Sequence, residues 1–167
     1  MFEKLETPEQ IFSFKLGATL TMERKLVDVL EELEAAAQRT EIKQALREHR
    51  EETRQHVKNV EQCFQLLGEE SDDSPCPAIE GLAKEGKATI KKTDESVVDA
   101  VILSAATESE HHEIAVYETL IPNAEARGAS EVAALLSQNL EQEKHALEVA
   151  RSAMRKIASE GVAVGAA

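Results

Sequence analysis

The side chains that could do chemistry in this chain are carboxylates and imidazoles standing where apolar residues are due. Leu16, Leu20, Glu23, Val27 and Leu30 recur at helical spacing with a carboxylate in their middle. Leu136, Leu140, Glu143, Leu147, Ala150 and Met154 repeat that arrangement. Between them, Leu103, Ala106, Glu110, Glu113, Tyr117 and Leu120 place two carboxylates one turn apart on a single face. A fourth stripe, Ile42, Ala45, His49, Glu52, His56, Val60, Cys63 and Leu67, carries three polar groups on consecutive turns. One interrupted stripe is ordinary, because boundary side chains snorkel. Four stripes interrupted near their midpoints are not. In antiparallel helices the midpoints share about one height, so Glu23, Glu52, Glu110, Glu113 and Glu143 would converge there.

Carboxylates gathered in this way cannot all stay ionised in a dry interior. Each bare buried charge costs several kcal/mol even after relaxation, and mutual repulsion raises the pKa of each. No Lys or Arg stands on those stripes at that level, so bound divalent metal is the economical counter-charge. Carboxylates with an imidazole or two and no thiolate suit iron or manganese better than a structural zinc. The expected cofactor is two divalent ions, iron first, with manganese or zinc as alternatives. Bridging glutamates would hold the pair, as in di-iron carboxylate bundles. His56, four residues after Glu52, is the expected imidazole ligand. His49, three residues before Glu52, is the alternative ligand or a partner standing behind the ligands.

Other candidates carry less. His111 and His112 flank the glutamates but point off their stripe, and His145, two residues beyond Glu143, faces away. Tyr117, the single tyrosine, is either a core residue with a satisfied hydroxyl or a phenol hydrogen-bonded to a ligand. Cys63 reads as a small buried hydrophobe, and Cys76, between two prolines, as a thiol without an assigned role.

The elements that must position these groups are long helices. Thr7-Pro8-Glu9-Gln10 is a helix start, with Thr as cap, Pro at the first position and Gln reaching back. The first helix continues to about Ala37. Thr40 is the expected cap of a second, which runs to Leu67 and stops at Gly68. A breaker-rich loop over residues 68–77 follows, then a weaker helical stretch from Ala78 to Lys92. Asp94 is the expected cap of a third long helix, periodic through Leu120, that Pro122 should kink or end. Ser130 opens a fourth, expected to end near Ser159 with a flexible tail over residues 161–167.

Two hairpins joined by one long crossover make an all-α, ferritin-like four-helix bundle with a short extra helix in the crossover. Residues 1–160 are expected to form a single domain. The composition agrees, with 3% aromatics, 7 Gly and 4 Pro among 167 residues. A net charge of −13 argues against nucleic acid and against an anionic membrane surface. Two cysteines without a CxxC pair fit a reducing cytoplasm. No apolar run approaches a membrane span, and the first residues lack a signal-peptide shape.

The chain also resembles the YciE/YciF family of bacterial ferritin-like stress proteins. The resemblance rests on His49-Arg-Glu-Glu-Thr53, on Glu110-His-His-Glu-Ile-Ala-Val-Tyr117-Glu-Thr-Leu120 and on Leu140-Glu-Gln-Glu-Lys144. It extends from about residue 8 to 157 and includes Glu80-Gly-Leu82 in the crossover. It implies a helical bundle, commonly a homodimer, with a dinuclear metal centre and a loosely defined activity. The general ferritin pattern of Glu-x-x-His is broken twice, because Gln55 follows Glu52 and Ala146 follows Glu143 at that spacing. The expected function is iron handling or oxygen and peroxide chemistry in stress defence. The alternative is a metal-free structural or interaction bundle with a buried Glu/His network.

Overall fold

Helix starts and stops written into the sequence set the architecture. The computed structural model describes the backbone of residues 4–165 and the side chains of residues 4–160. Five helices follow in order: α1 (Pro8–Ala36), α2 (Thr40–Leu67), α3 (Pro77–Lys91), α4 (Val98–Ala126) and α5 (Ser130–Gly165). No strand occurs among the described residues. α1 opens with the expected reciprocal cap, the Thr7 hydroxyl accepting from the Gln10 backbone while the Gln10 side chain accepts from the Thr7 backbone. α2 ends at Gly68, whose φ of 70° is left-handed and suited to a residue without Cβ.

α1 packs beside α2, α2 beside α5, α5 beside α4 and α4 beside α1, closing a four-membered ring. Long-range pairs such as Asn59–Asn139 and Lys156–Glu41 run in opposite chain directions along α2 and α5. The crossover returns along the outside of the bundle, where α3 lies over α4 and α1. Its leading loop is strapped to α1 in two ways. Arg24 bridges Asp73 at 2.5 Å and Glu61 at 2.9 Å, and Gly17 lets the loop approach so closely that a Cβ there would lie 3.0 Å from Asp72. Two apolar clusters fill the interior. One, built on Leu16, Leu20, Phe64, Leu120 and Leu136, occupies the end near the crossover loop. The other, built on Leu30, Ile42, Ile102 and Leu103, occupies the opposite end. The polar groups lie between them.

Four local expectations are corrected. Thr40 does not cap α2. The cap residue is Arg39, without a side-chain cap, and the turn before α2 is held instead by Asp99, 7% exposed, whose carboxylate accepts from the Gln38 backbone at 2.7 Å and the Arg39 backbone at 3.1 Å. Asp94 caps a separate turn through Ser96, so α4 begins at Val98. Pro122 does not end α4. Its ring faces solvent, Leu120 and Ala124 on either side of it are buried, and the Asn123 side chain donates to the Thr119 carbonyl at 2.7 Å. α5 continues to Gly165, beyond the expected end near Ser159, while residues 166–167 of the expected tail lie outside the described residues.

Asp99 supplies a direct test of the hairpin. Replacing it with Ala leaves two partly buried N–H groups without their acceptor, and an unmet donor costs about 1 kcal/mol or more as far as water cannot reach it. Asp99→Ala is expected to lower Tm by several degrees in thermal unfolding monitored by circular dichroism.

Candidate metal centre

Midway along the bundle, Glu23 from α1, His49 and His56 from α2, Glu110 and Glu113 from α4 and Glu143 from α5 are all buried. Glu23 and Glu143 are 0% exposed, as is His56. Helical periodicity turns each of them inward, and the antiparallel packing brings them to one level. They form two triads that share one residue. In the first, His56 Nδ1 lies 2.7 Å from Glu143 Oε1 and 3.5 Å from Glu23 Oε2. In the second, His49 Nε2 lies 3.1 Å from Glu110 Oε1 and 3.4 Å from Glu143 Oε2. Each triad offers ligand atoms within 4.8 Å of one another, the spacing at which one ion can meet all three. Glu143 places one oxygen in each.

Both histidines therefore stand inside the cluster, one in each triad. His56 donates from Nε2 to the Gln142 side-chain oxygen at 2.9 Å, which leaves Nδ1 facing the carboxylates. His49 turns Nε2 inward, and its Nδ1 lies 3.2 Å from Glu52. Glu52 itself is half-buried and sits behind His49, outside both triads. A carboxylate on the far nitrogen of a ligating imidazole fixes its tautomer and orientation, a common outer partner in metal sites. Glu113, 1% exposed, completes the cluster beside Glu143.

The tyrosine is buried and hydrogen-bonded to one of the candidate ligands. Tyr117 donates to Glu23 Oε1 at 2.5 Å and accepts from Asn139 at 2.9 Å. Asn139 in turn accepts from Asn59 at 2.7 Å, and Asn59 accepts from exposed Gln55 at 2.9 Å. Every donor in this chain points toward Glu23. Asn59, Asn139 and Gln142 are absent from the sequence-level candidates. Their signal was register, since Asn59 follows His56 by three and Asn139 precedes Glu143 by four. His111 and His145 lie on the surface as expected. His112 is half-buried and meets Cys76, with its Nε2 3.8 Å from the sulfur.

Electrostatics show what the cluster lacks. Burial first, then Glu143, Glu110 and Glu23, push the Glu113 carboxyl well above the ordinary carboxylate range. Burial raises Glu143 to about 7, with Glu23 and Glu110 adding to the shift while His56 and His49 oppose it. Burial would lower both imidazoles, yet the glutamates reverse it. His49 is held well above its ordinary value by Glu110, Glu52 and Glu143, and His56 rises to about 10 through Glu143 and Glu23. Among the described residues, no Lys or Arg pairs with Glu23, Glu110 or Glu143. Oxygens of Glu23, Glu110 and Glu113, both oxygens of Glu143 and His56 Nδ1 lack a hydrogen bond of acceptable geometry. His56 Nδ1 and Glu143 Oε1 are close yet not aligned to share a hydrogen. Unpaired buried carboxylate oxygens are costly, and so many facing inward fit a group that accepts lone pairs from several sides. The donor set of oxygens and imidazole nitrogens suits hard or borderline divalent ions.

Residues 7–166 match the family described as "Domain of unknown function (DUF892)". The chain belongs to the DUF892 family. It is 34% identical to Protein YciF of Escherichia coli strain K12 over 145 residues, which cover 84% of this chain and 86% of that protein. The crystal structure of the E. coli stress protein YciF superposes with a TM-score of 0.86 at 32% identity, covering 90% of this chain and 96% of that one. YcfI from Rhodopseudomonas palustris gives the same TM-score and identity over 90% and 97% of the two chains. A Xanthomonas campestris protein, 23% identical with a TM-score of 0.77 over 96% and 100% of the two chains, shares the fold. The resemblance to the YciE/YciF family is thus established, and with it a DUF892 bundle of the YciF type. Among the described residues, no helix is long and apolar enough to cross a membrane.

Proposed function

We propose that this DUF892 chain binds two divalent metal ions, iron first, between its four long helices. Glu23, His56 and Glu143 would hold one ion, and His49, Glu110 and Glu143 the other, with Glu143 bridging and Glu113 alongside. The single observation carrying this reading is the pair of buried triads that share Glu143. When bound, a pair of ferrous ions supplies electrons for reducing oxygen or peroxide, the chemistry we propose for an iron-handling protein of stress defence. The chain's own contribution is positional. Glu52 and Gln142 fix the two imidazoles from behind. Tyr117 holds one oxygen of Glu23 and leaves the other free for a ligand role. The apolar clusters close the bundle interior on either side of the polar layer along its axis. The likeness to the E. coli stress protein supports the stress-defence part, and a homodimeric, cytoplasmic protein is part of the same proposal. Gel filtration checks the dimer.

Metal analysis tests the reading. Protein made in iron-supplemented medium is expected to carry about two ions per chain. Fewer than about one, with a folded protein, overturns it.

A metal-free network is the second reading, favoured by the raised imidazoles. Protonated His49 and His56, with a neutral Glu113, offset most of the remaining carboxylate charge. The two readings part on pH. A carboxyl that binds its proton more tightly folded than unfolded stabilises the fold fully below its ordinary value of 4.5. For Glu143 that contribution is lost as the pH rises to about 7. The contribution of His56 persists below 6.5 and is lost on the way to about 10. Metal-free protein is therefore expected to lose on the order of 1 kcal/mol of stability per pH unit across this range, read as a falling Tm. Ligands must shed protons to bind a cation. Mn(II) or Zn(II) should then restore more stability at pH 8 than at pH 6, whereas a purely proton-sharing bundle gains nothing from either ion.

A further inference from the structure

Beside the cluster, on the side away from Tyr117, a cavity of about 410 Å³ opens between α2 and α5. Its inner end is formed by His49 and Glu110. Its walls are small and aliphatic, with Ala45 from α2, Ala106 from α4, and Ala146, Ala150 and Ala153 from α5. Three of these fall on one face of α5 at successive turns, so the void is built by residue choice along a whole stripe. Ala146 stands where the Glu-x-x-His pattern would have put an imidazole, and a ring there would occupy part of this space. The mouth is rimmed by exposed Glu48, by Val149 at 39% exposure and by Lys156, which pairs with Glu41 at 3.1 Å.

Three properties define an occupant. The volume lies in the range of small-molecule sites, about 300–1,000 Å³, and far exceeds what a diatomic or a peroxide needs. The lining carries four glutamates, Glu41, Glu48, Glu52 and Glu110, against Lys156 and the two histidines His49 and His145, so acidic groups outnumber basic ones and a carboxylate or phosphate is disfavoured. At the inner end Glu110 is 3% exposed and its Oε2 has no hydrogen-bond partner, so the inner end of an occupant must bring a donor or share an ion with it.

We propose that this cavity is the substrate site of the centre and takes an uncharged aliphatic alcohol. Its hydroxyl lies at Glu110 and its chain runs outward between the alanine-lined walls. That the occupant is a substrate rests on the metal reading above; that the cavity binds it does not.

The experiment is isothermal titration calorimetry of 1-alkanols from butanol to decanol into the full chain, metal-free and loaded with Zn(II). Metal content is measured on the same samples. Kd is expected to fall about fourfold per added methylene until the cavity is filled, then to level off. Alkanoates of equal length should bind at least about tenfold more weakly. Ala150→Leu, and as a second variant Ala153→Leu nearer the mouth, should each weaken alkanol binding at least about tenfold at unchanged helicity and metal content. No alkanol binding by folded wild-type protein overturns the site. So does equal binding of alkanoates, or unchanged binding by both folded variants, or binding that vanishes as the chain self-associates, which would mean that a second copy fills the mouth. Alkanol binding by a chain that takes up no metal supports the site and overturns the metal reading instead. Metal uptake without alkanol binding does the reverse.

Discussion

Glu143→Gln is expected to remove both metal positions at once. Glu143 alone contributes an oxygen to each triad, 2.7 Å from His56 and 3.4 Å from His49. The amide keeps the size of the side chain and still offers one carbonyl oxygen, but it loses the charge and the bridging pair of oxygens. Bound metal should drop from about two ions per chain to well under one. The accompanying effect on stability is large. An ion present at about 100–1,000 times its Kd stabilises the folded state by about 2.7–4.1 kcal/mol, and the variant should forfeit that rise in Tm. Glu23→Ala is the graded comparison, because it touches one triad only and also strands the Tyr117 hydroxyl. Differential scanning fluorimetry with and without Fe(II) under anaerobic conditions measures both. An equal Fe(II)-dependent Tm shift in wild type and Glu143→Gln would defeat the assignment.

Glu113→Leu is expected to act with opposite signs in the two states of the protein. Glu113 is fully enclosed, lies against three other carboxylates and keeps a buried oxygen unpaired. Replacing such a group by an apolar one of similar volume is often neutral or stabilising by about 1–4 kcal/mol. Without metal, the variant should melt higher than wild type. With metal, it should gain less than wild type from the same ion concentration. A chemical-denaturation series at fixed pH, run with chelator and then with Mn(II), separates the two. If metal-free Glu113→Leu is markedly less stable, the side chain contributes to the apo fold in a way that burial and repulsion do not explain.

The bundle itself was legible because its signals are local. Thr7, Pro8 and Gln10 mark one start, Gly68 marks a stop, and the apolar spacing of the stripes names the inward faces. The details that failed depend on contacts between distant segments. Thr40 is a reasonable cap by residue type, but nothing local reveals that Asp99, about sixty residues on, reaches the same turn. Pro122 is a breaker in isolation and is tolerated because Leu120 and Ala124 hold the last turn against the core. In the site, Glu23, Glu110, Glu113 and Glu143 were readable as carboxylates on apolar faces. The pairing of both histidines was not, because the side on which each imidazole finds its carboxylate depends on the rotation of α2 against α5. The same rotation carried Glu52 to the rim. Asn59 and Asn139 went unseen since neutral amides blur into the polar side of a helical pattern.

The division of these groups between the two hairpins has its own consequence. Both imidazoles ride on the first hairpin, with Glu23, whereas Glu110, Glu113 and Glu143 all ride on the second. Apart, the first half bears a seam ready to take on positive charge and the second a seam crowded with negative charge. The second cannot close on itself or on a copy of itself without juxtaposing like charges, and the imidazoles of the first are what answer it. The same asymmetry that equips the centre also tells the two halves of the molecule which surfaces belong together.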